Sequence, residues 1–353
     1  MLWYSSGSFF FRSSFPEEDI NSSVLDLSII LPSFFYIEDP RSTSLVGDMD
    51  LQFHLLETIT NGFSDEHKIG SGGRADVYKC VCNGKEIAVK NLHPLQGLDD
   101  KAFDSEFSNL SMIEHKNVVQ FLGYCYQTVS RYVPYNGEVI FATETERIFC
   151  FEYMGGGSLD EYIADEYCVL DWHTCYQIIK ETCDGLNHLH AAHEKPIFHL
   201  NLKPSNILMD KNMTAKIADF GSPRLVASAE THKTLGYMPP EYIEGGYISE
   251  KYDVFSLGVI ILTIMAGNKG HSSCYEMSPE KFINHVIENW ERRLQGTSGY
   301  SSNEKYIVQV KNCIEIAVKC VDKDRYKRPL IKDIVHVLEE FEAKMVVVAS
   351  KEP

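Results

Sequence analysis

The chain has 353 residues, which at about 150 residues per domain allows two domains or a single two-lobed one. With 44% hydrophobic and 24% charged residues it falls among folded globular proteins, which excludes a disordered or fibrous chain. Fifty acidic against 33 basic residues leave a formal charge of -17, which opposes binding to nucleic acid or anionic lipid; any phosphate group must be held by local features.

Residues 1–50 differ from the rest. They carry Arg12 and Arg41 against eight acidic residues, with aromatics set among serines and no helical or strand period, and read as a poorly ordered N-terminal extension. Their longest apolar stretch, from Val24 to Ile37, is broken by Asp26 and Pro32 and is too short to span a bilayer. No basic residue precedes Arg12 and no clean apolar run leads to a cleavage site, so no secretory signal is expected. Leu2 excludes N-myristoylation and the ending SKEP is no prenylation box. The ten cysteines are scattered without any CxxC pair, which suits buried free thiols in a reducing compartment better than zinc ligands or a disulfide framework. A cytoplasmic location is expected.

Patterned segments begin near residue 51. LQFHLLETITNGF reads as a short amphipathic helix ended by Asn61-Gly62. IGSGGRADVYKC follows, with Gly70, Gly72 and Gly73 ahead of a strand-like run; a glycine-rich turn lets backbone amides approach phosphate oxygens, although by itself it is equally a plain hairpin. KEIAVKNL, NVVQFLGYC and RIFCFEYM read as strands, and the first places Lys90 on an apolar strand, where its ammonium needs an anion. Between the last two, Asn136-Gly137 is a type I′ turn signal inside what reads as a long connection between strands. After Gly155-Gly156-Gly157 the periods become helical, as in WHTCYQIIKETCDGLNHLHAAH and VFSLGVIILTIMAG, so a β-rich half joins a helical half through a glycine hinge.

Downstream lie three more segments in order: His199 to Leu208, reading HLNLKPSNIL; Ala218-Asp219-Phe220-Gly221; and Met238-Pro239-Pro240-Glu241. Together with the glycine turn and Lys90, their order and spacing resemble the protein-kinase signature set: glycine-rich loop, strand lysine, catalytic loop, Asp-Phe-Gly and Ala-Pro-Glu, here Pro-Pro-Glu. The resemblance covers residues 51–343. The phrases GYC after the fourth strand, FEYMGGGSLD, LKPSNILMD and TLGYMPPEY are similar to those of plant receptor-like serine/threonine kinases, and with no ectodomain or span the chain resembles their cytoplasmic members.

That resemblance implies an α+β, bilobal kinase fold. Residues of about 51–154 form a small antiparallel β lobe with one regulatory helix, about 155–343 a helical lobe, and 344–353 a tail. It implies ATP with Mg2+ between the lobes. Gly70 and Gly72 would cover the phosphates, with Ala75 standing where the family has its third glycine. Lys90 would hold phosphates and pair with Glu106; Val77, Ala88 and Leu208 would sandwich the base; Phe151 would close the back of the pocket. The backbone from Glu152 to Met154 would bond the base, and Asn206 and Asp219 would hold the metal. Lys203 resembles the lysine beside the transferred phosphate, and Thr234 would contact residue 201. His199, Phe220 and Leu110 would stack in a column between lobes, Asp253 would brace the catalytic loop, and Glu241 would pair with Arg328.

Two positions depart from that pattern. Asn201 stands where active members have the aspartate that accepts the substrate proton, and a carboxamide cannot take up a proton near neutral pH. Leu200 stands where many members have an arginine that clasps a phosphorylated activation loop, so Ser222, Ser228, Thr231 or Thr234 would lack that anchor. The expectation is an ATP-binding pseudokinase or very weak kinase that signals through a partner kinase or receptor, recruited by it to the plasma membrane. The alternative is an active protein serine/threonine kinase.

Overall fold

The computed structural model describes residues 50–93, 100–164, 170–191, 196–221, 235–295 and 303–349. The N-terminal extension up to residue 49, the hydroxyls between residues 222 and 234, and Cys168 lie outside the described residues.

The first helix, α1 (Phe53–Ile59), is short because Asn61, Gly62 and Phe63 all take positive φ, a run that ends any helix. Five strands follow: β1 (Lys68–Ser71), β2 (Ala75–Cys82), β3 (Lys85–Leu92), β4 (Phe121–Tyr135) and β5 (Glu138–Glu152). They form one antiparallel sheet in the order β1-β2-β3-β5-β4. The only helix between β3 and β4 is α2 (Asp100–Ser111). Phe103 of α2 stacks on Phe149 of β5 with ring centroids 4.6 Å apart and so anchors the helix to the sheet. On the opposite side Phe53 and Leu56 of α1 bury against Cys80, Cys125 and Cys150.

Two strand expectations need correction. NVVQFLGYC is a strand only from Phe121, so Gly123 to Cys125 lie within β4 rather than after it. Residues 117–120 pair instead with the second lobe: Val119 N donates to Ile217 O at 2.9 Å, and Ile217 N to Asn117 O at 2.9 Å. The segment read as a connection around Asn136-Gly137 is not a loop. β4 and β5 run on as a two-stranded ribbon in continuous register from Cys125↔Ile148 to Tyr135↔Glu138. The two-residue turn was legible, since Asn136 and Gly137 both have positive φ, at 51° and 86°, as a type I′ turn requires. β3 pairs with β5 only at residues 148–152, so the outer ribbon stands clear of the sheet and exposes Tyr132, Val139 and Phe141.

The second lobe is helical. It begins with α3 (Leu159–Ile163), capped by a reciprocal Ser158 and Glu161 box, and α4 (Trp172–Ala191). A small hairpin of β6 (Ile207–Met209) and β7 (Ala215–Ile217) comes next. Then follow α5 (Pro240–Gly245), α6 (Lys251–Ala266), α7 (Gly270–Glu276), α8 (Pro279–Gln295), α9 (Asn303–Cys320) and α10 (Ile331–Ala349), which continues past residue 343. α6 is apolar all round and buried along nearly its whole length, the pattern of a central core helix. Among the described residues no single helix is long and apolar enough to cross a membrane.

α4 passes so close to the inter-lobe segment that a Cβ on Gly185 would lie 2.4 Å from the carbonyl oxygen of Asn117. Gly185→Ala is therefore expected to destabilise by about 1–3 kcal/mol despite the helix propensity of alanine. Urea unfolding measures this; a variant as stable as wild type would show that the two segments can part without cost. Eight of the nine described cysteines are buried and all are free. Burial pushes the thiols of Cys80, Cys313 and Cys320 up to about 12, so they are inert core side chains.

Candidate functional site

A cleft of about 1020 Å³ opens between the sheet and the helical lobe. That is the upper range for a small-molecule site. Its roof is the β1–β2 hairpin, closed by Gly72 N donating to Ala75 O at 2.9 Å and by Ser71 Oγ donating to Asp76 at 2.7 Å. Gly70 and Gly72 line the cleft. Ala75 also lines it while remaining 8% exposed, so its methyl packs into the core and leaves the loop amides in place.

Val77, Ala88 and Leu208 line the cleft from above and below, and Phe151 meets Phe121 edge-on at 5.8 Å behind it. The hinge strand Glu152 to Met154 forms the far wall. It continues into the glycine hinge, which is stitched to β6: Gly156 N donates to Met209 O at 2.9 Å and Met209 N to Gly157 O at 2.8 Å. A Cβ on Gly156 would lie 2.5 Å from Asp210 O, so no larger residue fits there.

Lys90 finds the anion its strand position demands, and in fact two. Its Nζ donates to Glu106 Oε1 at 3.2 Å and to Asp219 Oδ1 at 2.8 Å. Burial alone would lower the Lys90 ammonium, but the Asp219 and Glu106 carboxylates outweigh it and hold the ammonium above its ordinary range. Asp219 is shifted the other way: desolvation opposes its charge, and Lys90 outweighs that to hold the carboxyl below its usual range. Glu106 is 2% exposed on α2, which makes it a core partner of Lys90 rather than a surface residue.

The catalytic-loop segment is fixed from beneath by Asp253 of α6. Its carboxylate accepts from His199 N at 2.8 Å, from Leu200 N at 2.7 Å and from His190 Nε2 at 2.8 Å. Those bonds hold Leu200 at φ 59°, a region a bulky residue rarely occupies. The imidazole of His199 is 3% exposed; Nε2 donates to Ala218 O at 3.0 Å while Nδ1 accepts from Asn201 N at 3.2 Å. Burial lowers its pKa, which agrees with a neutral structural ring. Leu110 and Phe220, each 2% exposed, lie in the same core.

Burial raises the cost of ionising Asp253, but the hydrogen bond from His190 leads the terms that pull its pKa below the usual value. A carboxyl depressed in the folded state stabilises at pH above its unfolded value of about 3.9, and that contribution disappears as pH falls through the folded value. The stability difference between wild type and Asp253→Asn is therefore expected to be constant near neutral pH and to shrink below about pH 4. Urea melts at pH 7 and pH 3 measure it; a difference that grows on acidification contradicts this account.

Asn201 lines the cleft, and its Nδ2 lies 3.3 Å from Asp219 Oδ2. An ionised carboxylate can only accept, so the amide nitrogen is the end that faces it. Asn206 Nδ2 donates to Asn201 O at 2.8 Å, which leaves the Asn206 side-chain oxygen to serve as a ligand. Two oxygen-bearing side chains on one wall suit a hard cation that takes one or two protein ligands and completes its shell with phosphate and water. Asn206 and Asp219 thus fit magnesium. Among the described residues no group of three or more His, Cys, Asp or Glu could hold a metal. Lys203 is half-buried on the same loop and contributes to the low pKa of Asp219, but it does not line the cleft wall. Thr234, the expected contact of residue 201, lies outside the described residues.

One brace was missed from sequence. The Glu152 carboxylate accepts from Lys216 Nζ at 2.7 and 2.9 Å and from Gln120 N at 2.8 Å, tying the hinge to β7. An acid and a base alternating with apolar residues on two short strands were the available signal, but their meeting across 64 residues is visible only in the fold.

Comparison with known proteins agrees with this geometry. A family model described as a protein kinase domain matches residues 63–338. The chain is 35% identical over 311 residues to cysteine-rich receptor-like protein kinase 41 of Arabidopsis thaliana, covering 82% of this chain and 44% of that protein. It is 34% identical over 316 residues to kinase 19 of the same series, covering 85% and 46%. It is 33% identical over 324 residues to kinase 44, covering 86% and 79%. The chain thus spans less than half the length of the first two relatives.

Proposed function

The chain belongs to the protein kinase family and resembles plant receptor-like kinases, and from that premise we propose that it is an ATP-binding pseudokinase or very weak kinase that signals by engaging a partner kinase or receptor. The observation that carries this reading is the Asn201 amide turned as a donor toward Asp219 at 3.3 Å. At the position the resemblance assigns to the general base, a group that donates and cannot be protonated near pH 7 does not accept a hydroxyl proton.

Lys90 and the amides of Gly70 and Gly72 hold the phosphates; Val77, Ala88 and Leu208 hold the base; Asn206 and Asp219 hold magnesium. The cation when bound neutralises charge on the phosphates. Lys203 stands beside the transferred group. The chain's action is placed in the cytoplasm, next to a membrane receptor that recruits it. The Leu200 side chain leaves activation-loop phosphates without an arginine anchor, which fits a domain not switched on in the usual way.

A second reading, a slow protein serine/threonine kinase, is favoured by the completeness of the Lys90, Glu106, Asn206 and Asp219 set, because phosphate transfer through a loose transition state depends more on positioning and charge than on a base. Phosphate transfer by the purified protein, with Asp219→Asn as control, separates the two. A rate that equals that of Asn201→Asp and is lost in Asp219→Asn would overturn the pseudokinase reading. ATP with magnesium is expected to raise the melting temperature, and no shift at millimolar nucleotide would count against both readings.

A further inference from the structure

Asn201 bears on the cation as well as on proton transfer. This inference rests on the reading that the cleft holds ATP. Both oxygens of Asp219 already have donors: Lys90 Nζ on Oδ1 at 2.8 Å and Asn201 Nδ2 on Oδ2 at 3.3 Å. A cation bound at Asp219 has to compete with at least one of them.

An aspartate at position 201 would create the opposite situation. Two carboxylates would face each other across the distance now bridged by a hydrogen bond, and neither could donate to the other or to a phosphate. Such a pair, next to a triphosphate, requires a divalent cation to hold the negative charges together. The carboxamide removes one of those charges and supplies a donor in its place.

The other acids near the cleft do not restore the missing charge. Glu106 is paired with Lys90 at 3.2 Å, and Glu152 is turned to Lys216 at 2.7 Å. Among the described residues no further acidic cluster could recruit a metal by itself. The phosphate region is therefore poor in negative charge and already supplied with Lys90, loop amides and the Asn201 amide.

We propose that Asn201 makes nucleoside triphosphate binding by this chain largely independent of a divalent cation. Magnesium has a place to bind, at Asn206 and Asp219, but adds little to affinity. The residue that removes the proton acceptor thereby also changes the form of nucleotide the cleft takes, from the metal complex to the free polyanion.

Isothermal titration calorimetry of the full chain with ATP, in magnesium and again in EDTA, tests this without any measurement of activity. The wild-type Kd is expected to differ by less than about threefold between the two buffers. Asn201→Asp is expected to lose about tenfold or more on chelation, because one added unit charge a few ångströms from phosphate at an effective dielectric near 20 is worth more than a decade of binding. Asn201→Ala, which adds no charge, is expected to stay closer to wild type than to Asn201→Asp.

A wild-type loss of tenfold or more in EDTA overturns the inference while leaving nucleotide binding intact, and this arm needs no variant to fold. Equal behaviour of wild type and Asn201→Asp also overturns it, since residue 201 is then not the cause. No binding in either buffer removes the nucleotide reading itself, and the inference with it.

Discussion

Asn201→Asp is expected to raise phosphate transfer to a protein hydroxyl by about 10²–10⁴-fold, the usual contribution of a positioned general base. At 1.36 kcal/mol per decade this is about 3–5 kcal/mol of barrier. The replacement is nearly isosteric, and the backbone around it is held independently: Asn201 N donates to His199 Nδ1 at 3.2 Å and Asn201 O accepts from Asn206 at 2.8 Å. The gain should therefore come from chemistry and not from refolding of the loop. The new carboxylate loses the bond to Asp219 and is free to turn toward an incoming hydroxyl. Initial rates on a serine/threonine substrate, in saturating magnesium and ATP, measure the effect. Asp219→Asn introduced into both proteins shows whether the same site is responsible. A gain below about threefold would mean that something other than position 201 limits the rate, and Leu200 and the missing arginine anchor would be the next residues to restore.

Arg328→Met should produce the largest loss of stability in the helical lobe, about 3–5 kcal/mol, as for other buried pairs broken by removal of one partner. Arg328 is bidentate to Glu241, Nη1 to Oε1 at 2.7 Å and Nη2 to Oε2 at 2.8 Å. Its Nε donates to Asp322 O at 2.8 Å and its guanidinium lies 4.9 Å from the ring centre of Phe255. With the Arg328 side chain fully buried and that of Glu241 14% exposed, water cannot replace the lost partner. The methionine fills the volume but strands the carboxylate. Because Glu241 opens α5 directly after the Pro239-Pro240 pair, the loss also loosens the end of the activation segment. The midpoint of thermal unfolding is expected to fall by roughly 10 °C at about 2–4 °C per kcal/mol. A loss under about 1 kcal/mol would show that the lobe does not depend on this pair.

Much of the fold could be read locally. Asn61-Gly62 ended α1 and Asn136-Gly137 made the ribbon turn because positive φ is a property of a residue and its neighbours. Lys90 on an apolar strand announced that a carboxylate had to come to it, since a buried ammonium needs one. What could not be read was pairing. Residues 117–120 have the composition of a strand, yet their backbone is used by Ile217 of the other lobe. Residues 126–147 alternate too weakly to tell a ribbon from a connection, because the outer ribbon packs on nothing that demands one face be apolar. The Glu152 and Lys216 brace joins residues whose separation in sequence carries no spacing rule.

Residue types, their order and the absence of an acid at position 201 were determined by the sequence alone, because chemical identity and motif spacing need no fold to be seen. The role of that residue was decided only by tertiary structure. A carboxamide has one end that donates and one that accepts, and nothing within the catalytic loop chooses between them. The choice is made by Asp219, brought to 3.3 Å by the β6–β7 hairpin and charged because Lys90 comes down from the sheet of the other lobe to meet it.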